Sequence, residues 1–287
     1  MEYLSLNEYL RKKFGHKLYK LSISGAVTCP NRDGTVGTGG CIFCSGTGSG
    51  EFAQDAGLFV TEQIEKAKLL VAKKFRGGKY IAYFQNFTNT YIPYERMEKM
   101  FTEAVLHPDV EVLSVATRPD CLPEDVIALL RRLNAVKPVW VELGLQTVHQ
   151  KTADLINRCY PLETYDSAVK RLHAAGIEVI THVILGLPHE SEEEILQTVR
   201  YVGRVTDGIK LQLLHVLKGT RLEQMYLNGE FETLSFEQYL TLLRKCIEVL
   251  PKNVVVHRLT GDADKKLLVA PMWSADKKRV LNAIARL

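Results

Sequence analysis

Hydrophobic positions along the chain form short continuous runs, and these alternate with longer stretches in which apolar residues recur at helical spacing. Short apolar runs are typical of strands buried in a parallel sheet, and the stretches between them of amphipathic helices. The predicted strands are Tyr19–Val27, Tyr80–Gln85, Val110–Ala116, Pro138–Leu145, Glu178–Leu185 and Gly208–Leu214. The predicted helices are Thr61–Lys74, Tyr94–Leu106, Pro123–Leu133, His149–Asn157 continuing into Glu163–Ala175, and Glu192–Val205. Right-handed crossovers curl six such units into a partial or closed α/β barrel, with chemistry at the carboxyl ends of the strands.

The pattern changes after Val216. A helix at Ser235–Leu250, a strand at Val254–His257, the polar turn RLTGD and a helix from Ala275 are expected there. No internal repeat or low-complexity linker separates this part from the rest. We therefore expect residues 1–217 to form the barrel with its N-terminal segment, and residues 218–287 to form an α/β extension packed on it.

Composition narrows the class of protein. The chain has 287 residues, 46% of them hydrophobic, which favours one large domain or a domain with a short appendix. The formal charge of +4 permits contact with a polyanion without requiring it. No apolar run approaches the roughly 18 residues needed to span a bilayer, and the first residues are too polar for a secretory signal. We expect a cytoplasmic protein without a membrane partner.

Three of the six cysteines, Cys29, Cys41 and Cys44, lie in the run CPNRDGTVGTGGCIFC after the first predicted strand. In a reducing compartment such a group indicates metal binding or catalysis rather than disulfides. Three nearby thiolates suit a soft metal centre that keeps one coordination position open. Seven glycines between Gly34 and Gly50 would let this loop wrap closely around such a centre. Lone buried thiols are expected at the scattered Cys121, Cys159 and Cys246.

A structural zinc knuckle is the alternative for the cysteine loop, with His16 as the fourth ligand. Zinc ribbons usually present paired knuckles, and the sequence has no second pair. A zinc-dependent nucleic-acid-binding protein without catalysis follows from this alternative. Phe43, beside Cys44, either packs inward or covers the adenine of a nucleotide-like ligand.

Eight segments together resemble radical S-adenosylmethionine (SAM) enzymes of the YhcC/YtqA type. They are CPNRDGTVGTGGCIFC, YFQNFTNTY, ATRPDCLP, VELGLQTVHQKTADLINR, HVILGLP, HVLKGT, HRLTGD and PMWS. The wider group includes oxygen-independent coproporphyrinogen oxidase and the catalytic subunit of Elongator. Eleven residues separate Cys29 from Cys41, where the usual spacing is three. The resemblance implies a partial (β/α)6 TIM-like radical SAM barrel with a C-terminal α/β extension.

The resemblance also implies the cofactors. Cys29, Cys41 and Cys44 would bind three irons of a [4Fe-4S] cluster, whose fourth iron would bind the amino and carboxylate groups of SAM. Thiolate ligation and burial favour a strongly reducing cluster, which would cleave SAM to a 5′-deoxyadenosyl radical. An electron donor such as flavodoxin or ferredoxin would then be a partner.

Further SAM contacts follow from the same resemblance. Gln146 and Arg158, twelve positions apart, would hold SAM, and a guanidinium fork suits its carboxylate. His182 would face the ribose. The alternatives are an arginine at a helix end and a satisfied core histidine.

Two departures from the relatives change the expected contacts. Ala116 stands where Elongator-type sequences have a glutamate, so Thr117 and Arg118 would compensate. Gln85 begins the segment QNFTN, which replaces a glycine pair, and side-chain amides or backbone carbonyls would receive the SAM amino group there.

The substrate depends most on the resemblance, which implies conversion of a carboxymethylaminomethyl group at C5 of the tRNA wobble uridine to aminomethyl, ahead of a tRNA methyltransferase. His257, Arg258 and Asp262, in the segment HRLTGD, are candidate substrate residues near the barrel mouth, and a capped turn is the alternative. Basic clusters that are typical of solvated helices could instead bind tRNA phosphates. They are Arg11–Lys13 with His16 and Lys17, Lys73–Lys74 with Arg76 and Lys79, Arg131–Arg132, and Lys277–Arg279. A small metabolite or a tetrapyrrole is the alternative substrate.

Overall fold

The computed structural model describes residues 2–25, 27–48, 53–75 and 78–287. Ala26 of the first predicted strand, Gly50 of the glycine-rich loop and Arg76 of the second basic cluster lie outside the described residues. Within these ranges, no helix combines the length and apolar character needed to cross a bilayer.

Ten α-helices and nine strands are formed by the described residues. The helices are α1 (Leu6–Phe14), α2 (Val60–Val71), α3 (Tyr94–Leu106), α4 (Glu124–Asn134), α5 (Gln150–Leu155), α6 (Leu162–Ala174), α7 (Glu192–Gly203), α8 (Arg221–Leu227), α9 (Phe236–Val249) and α10 (Lys277–Ile284). The strands are β1 (Leu18–Ile23), β2 (Lys79–Phe84), β3 (Val110–Thr117), β4 (Val139–Gln146), β5 (Glu178–Leu185), β6 (Gly208–Leu213), β7 (Val216–Leu217), β8 (Val255–Arg258) and β9 (Leu268–Ala270).

The main sheet is a parallel half-barrel of seven strands in the order β1-β2-β3-β4-β5-β6-β8. Its strands are buried on both faces because helices cover the outside, as in β3, where only Glu111 is not buried. The predicted α/β half-barrel is confirmed. The prediction of six strands in the sheet was one too few, however. Strand β8 was expected within the extension, but it pairs in parallel with β6. Beyond it, β7 and β9 form a separate antiparallel pair.

Two predicted helices that were expected to run on from one another are separated. α5 ends at Leu155 and α6 begins at Leu162, and between them Asn157 and Cys159 have φ values of 57° and 62°. Left-handed residues cannot continue a right-handed helix, so the chain turns here. This turn lies against the cysteine loop.

Helix α1 closes one end of the barrel. Its Leu10 packs with residues at or near the starts of five strands, namely Leu18, Ile81, Val112, Trp140 and Ile180. Just before α1, the Leu4 carbonyl accepts a hydrogen bond of 2.8 Å from the Val256 amide of β8. The N-terminal end of the barrel is therefore filled, and its cavity lies toward the carboxyl ends of the strands.

Candidate active site

A cavity of about 230 Å³ lies at the carboxyl ends of the strands. Its lining includes twelve of the thirteen predicted site residues: Cys29, Cys41, Phe43, Cys44, Gln85, Thr117, Arg118, Gln146, Arg158, His182, Arg258 and Asp262. His257 is the exception. It lies beneath the cavity with its ring against Trp140, at 5.3 Å between ring centroids, so its predicted direct contact with substrate is not supported.

The cysteine loop is fastened to the turn between α5 and α6. The Asn157 side-chain amide donates to the carbonyls of Gly40 at 2.8 Å and Thr38 at 3.1 Å. In return, Asn31 donates to the Asn157 carbonyl and to Cys41 Sγ. Gly40 has a φ of 77°, a conformation that glycine adopts without strain. These bonds fix the loop that carries the three thiols.

The three thiols are not arranged around a single tetrahedral ion. A tetrahedral zinc ion would hold its sulfurs roughly 3.8 Å apart. Of the described residues, only Glu65, His107 and Asp109 bring three candidate ligand atoms within 4.8 Å of one another, so the three cysteines do not converge this closely. His16, the fourth ligand in the zinc alternative, precedes β1 while Cys29 follows it, a separation of roughly 20 Å along six residues of strand.

Gln146 offers the cavity an unused acceptor. It ends β4 with a φ of 73°, where the pairing of β4 with β5 shifts register. Its Oε1 is buried and has no hydrogen-bond partner in the described chain. A buried acceptor without a donor costs about 1–3 kcal/mol, so a ligand that brings an N–H donor would be favoured here. This acceptor fits the SAM amino group, which would supply the N–H donor.

Arg158 is engaged by the protein itself. Its guanidinium donates to the carbonyls of Leu145 at 3.2 Å, Thr147 at 2.5 Å and Tyr160 at 3.0 and 3.1 Å. Four of its five N–H donors are thereby used, so the expected fork toward the SAM carboxylate is reduced to one N–H. Arg158 instead braces the turn on which Gln146 lies.

Thr117 and Arg118 are likewise held by neighbours. Arg118 makes a two-point contact with Asp120 at 2.6 and 2.9 Å, and its guanidinium lies 5.0 Å from the Tyr160 ring centroid. The Thr117 hydroxyl hydrogen-bonds with Thr90 at 2.6 Å. Both residues line the cavity wall. Because their side chains are already hydrogen-bonded within the protein, the structure gives no support for their replacing the SAM contact of the glutamate found in Elongator-type sequences.

A buried charge cluster forms the floor of the cavity, and sequence reasoning missed most of it. Glu142 is fully buried and accepts hydrogen bonds from Lys20 at 2.9 Å, Ser114 at 2.7 Å and His182 at 2.7 Å, and also from Lys210. Burial alone would raise the pKa of Glu142, but the two lysines hold it well below its usual range. Charged residues within otherwise apolar strand runs were the available signal, because such residues are seldom buried unless paired.

His182 is neutral in this cluster. Burial first, and the positive charge of Lys210 second, lower the pKa of His182 to about 4. Since Glu142 can only accept, the neutral ring donates through Nε2 and leaves Nδ1 as an acceptor. This geometry is compatible with the predicted hydrogen bond from a ribose hydroxyl.

A bulge in β8 brings Arg258 into the wall. Val256 pairs with Ile209 and Arg258 with Lys210, which leaves His257 as an extra residue. Bulges of this kind re-aim side chains. Arg258 lines the cavity at a distance of 3.5 Å from Asp262, and Asp262 also pairs with Lys277 at 2.5 Å.

Sequence comparisons agree with this geometry. Residues 29–202 match the Radical SAM superfamily and residues 206–287 match the Radical_SAM C-terminal domain. The chain is 46% identical over 283 residues to YtqA of Bacillus subtilis, covering 98% of this chain and 88% of that protein. It is 36% identical over 270 residues to YhcC of Escherichia coli, covering 93% and 86%. A tRNA uridine(34) acetyltransferase of Methanocaldococcus infernus is 27% identical over 161 residues, 55% of this chain and 30% of that protein.

Two solved structures share the fold. Elp3 of Methanocaldococcus infernus superposes with a TM-score of 0.67 and 18% identity, covering 91% of this chain and 63% of that chain. Coproporphyrinogen III oxidase (HemN) of Escherichia coli gives a TM-score of 0.52 and 17% identity, covering 84% and 54%. The chain belongs to the radical SAM superfamily, whose enzymes use a [4Fe-4S] cluster and SAM, and is closely related to YtqA and YhcC.

Proposed function

We propose that the chain binds a [4Fe-4S] cluster through Cys29, Cys41 and Cys44 and converts the carboxymethylaminomethyl group of the tRNA wobble uridine to aminomethyl. When bound, the cluster would supply the electron that cleaves SAM, and SAM would supply the radical. That radical would abstract a hydrogen atom from a carbon with no readily removed proton. For the C–N bond to break, the carbon radical next to nitrogen would lose one electron, returned to the cluster, and one proton to give an imine. Water would then hydrolyse the imine to the aminomethyl group and a two-carbon oxoacid.

One observation supports cofactor binding most directly: three thiols and the unpartnered Gln146 Oε1 share one cavity. In the proposal, Gln146 accepts from the SAM amino group, His182 accepts from the ribose, and Phe43 covers the adenine. Arg158 acts by holding the Gln146 turn.

A tRNA substrate is supported by the relationship to tRNA uridine(34) acetyltransferase, and charge at the cavity mouth agrees with it. Three of the four basic clusters are at the closed end, because helix ends and strand starts meet there. Arg11–Lys13 lie on α1, Lys79 begins β2, and Arg131–Arg132 end α4. These three clusters are unsuited to guide a tRNA into the cavity.

The fourth basic cluster lies beside the cavity, where it could contact a bound tRNA. Lys277–Arg279 are exposed at the start of α10, and Lys277 pairs with Asp262 of the cavity wall. Phe87 also lines the cavity and offers a ring for an extruded base. We therefore assign phosphate contacts to the start of α10.

The catalytic proposal is tested by anaerobic reconstitution with iron and sulfide, followed by SAM, dithionite and tRNA from cells that lack this protein. We expect 5′-deoxyadenosine, together with loss of the carboxymethylaminomethyl nucleoside from digested tRNA. No 5′-deoxyadenosine would reject the radical reaction. Its formation with unchanged wobble nucleosides would reject the tRNA substrate.

The tRNA surface is tested by replacing Lys277, Lys278 and Arg279 with glutamine. Each lost phosphate contact should reduce the dependence of log affinity on log salt by about one, while SAM cleavage without tRNA is unchanged. The matched control replaces Arg131 and Arg132 at the closed end. Equal effects of the two sets would contradict the assignment.

A further inference from the structure

We propose that the floor of the cavity binds a terminal carboxylate of the substrate between Lys210 and Arg258. The inference deepens the proposed function, on which it rests, because it assigns a site to the carboxyl group of the side chain to be removed. Nothing in the roles given above to the cysteines or to Gln146 uses these two cations.

Basic groups outnumber carboxylates at the floor. Lys20 and Lys210 both contact Glu142. Burial, together with the charges of Lys20 and Arg258, holds the pKa of Lys210 well below its usual range. Arg258 is the third basic group, and in the described chain its ion pair is with Asp262, at 3.5 Å, although that carboxylate is closer to Lys277, at 2.5 Å. An anion bound at the floor would pair with Arg258 and favour the charged form of Lys210.

The two cations face the same space. Lys210 and Arg258 are register partners on β6 and β8, adjacent strands about 4.8 Å apart, and both line the cavity. The bulge at His257 turns Arg258 toward the interior. Arg258 keeps 34% of its side chain exposed, so its guanidinium remains accessible to a ligand. A guanidinium beside an ammonium matches the two oxygens of a carboxylate.

Tyr83 positions Lys210 at this site. Its hydroxyl accepts a hydrogen bond from Lys210 Nζ at 3.2 Å, and it lines the same cavity. The Tyr83 hydroxyl is also hydrogen-bonded with Glu142, and the buried Glu142 carboxylate can only accept. Lys210 and Arg258 therefore remain the two groups that face the ligand.

A terminal carboxylate fits this position better than a backbone phosphate. A phosphodiester has a sugar on each side and is held at the mouth, whereas the floor lies inside the barrel. The SAM carboxylate is also excluded by its chemistry, because it would bind with the amino group at the cysteine-held iron. The remaining anion is one at the end of a substrate side chain.

The test compares two nucleosides on the reconstituted full chain with SAM present: 5-carboxymethylaminomethyluridine and 5-aminomethyluridine, measured by calorimetry. We expect at least tenfold tighter binding of the carboxylated nucleoside. Arg258→Gln should lose this preference, and Arg258→Lys should restore part of it. Lys12→Gln, at a position 70% exposed on α1, is the control and should keep the preference. Equal affinities in the wild type, or a preference that survives Arg258→Gln, would overturn the proposal.

The role of Lys210 is tested together with a change of Glu142, because loss of Lys210 alone would remove a hydrogen-bond donor from the buried carboxylate. The double variant Lys210→Met with Glu142→Gln should fold and bind both nucleosides equally. If it does not fold, the Arg258 comparison decides.

A separate measurement distinguishes failure of the proposed tRNA function from failure of the carboxylate site. If tRNA is unmodified and neither nucleoside binds, N-methylglycine and dimethylamine serve as probes in thermal unfolding of the holoenzyme. Stabilisation by N-methylglycine alone, lost in Arg258→Gln, would retain the carboxylate site without the tRNA function. No stabilisation by N-methylglycine would overturn the site as well.

Discussion

Replacing Gln146 by glycine would separate the strain in its backbone from the role of its side chain. Gln146 has a φ of 73° and carries a buried oxygen without a partner. Because of both features, the wild-type protein without SAM should be less stable than the Gln146→Gly variant. We expect Gln146→Gly to stabilise the apo fold and to weaken SAM binding.

The magnitude follows from three contributions. A left-handed residue other than glycine costs roughly 1–2 kcal/mol, of which the flexibility of glycine in the unfolded chain cancels about 0.5–1 kcal/mol. Removing the unpaired oxygen contributes about 1–3 kcal/mol, and losing two partly buried methylenes costs up to about 0.8 kcal/mol each. The net gain is about 1–2 kcal/mol. A lost hydrogen bond from the iron-bound amino group, about 0.5–1.5 kcal/mol, weakens SAM binding roughly twofold to tenfold.

His189 provides the matched control, because it is exposed and has a φ of 61°. His189→Gly relieves similar backbone strain without touching the cavity, so it should add about 0.5–1 kcal/mol and leave SAM affinity unchanged. Urea unfolding of the apo proteins measures stability, and calorimetry on reconstituted proteins measures SAM affinity. A destabilised Gln146→Gly, or one that binds SAM within twofold of the wild type, would refute the assignment of Gln146.

Three further predictions concern a ligand, a buried acid and the floor. Cys41→Ala should abolish bound iron and 5′-deoxyadenosine formation, whereas Cys159→Ala should keep both; iron assays and chromatography decide. Burial raises the pKa of Glu190 from 4.5 to about 7, so the folded state favours the proton and stability falls as pH rises through this window. Glu190→Gln should therefore be more stable at pH 8, by at most roughly 3 kcal/mol, with little difference below pH 5 in urea titrations. Glu142→Gln should destabilise by roughly 3–5 kcal/mol, which the additional change Lys210→Met should partly reverse in the same assay.

The strands could be predicted because burial on both faces leaves an apolar run in the sequence. β5 has the predicted bounds Glu178–Leu185, and β2 differs from its prediction by one residue at each end. The fold class followed from their alternation with helices. A strand's partner is not encoded in such a run, so β8 was expected in the extension although it pairs with β6.

The break between α5 and α6 depends on tertiary contacts. Asn157 and Cys159 have ordinary helix propensities, and their left-handed conformations accompany hydrogen bonds to the cysteine loop. The Cys159 thiol, which was expected to be buried, is exposed, whereas Cys121 and Cys246 are buried as expected. Local periodicity contains no information about such contacts.

The sequence predicted which residues lie at the candidate site better than it predicted the hydrogen bonds that they make. The resemblance to radical SAM enzymes placed Arg158 at the cavity, but only the structure shows that four of its donors go to backbone carbonyls. Glu142, Lys20 and Lys210 interrupt apolar runs, a signal that was present and not used.

The contact between Leu4 and Val256 also has a consequence for synthesis on the ribosome. The first residues of the chain emerge about 250 positions before their partner in β8, and β6 has an unpaired edge until β8 is made. Arg258 is on that last strand of the sheet, so the cysteine loop is complete well before the cavity wall. A nascent chain can therefore acquire its metal ligands early, whereas the full cavity forms only when translation is nearly finished.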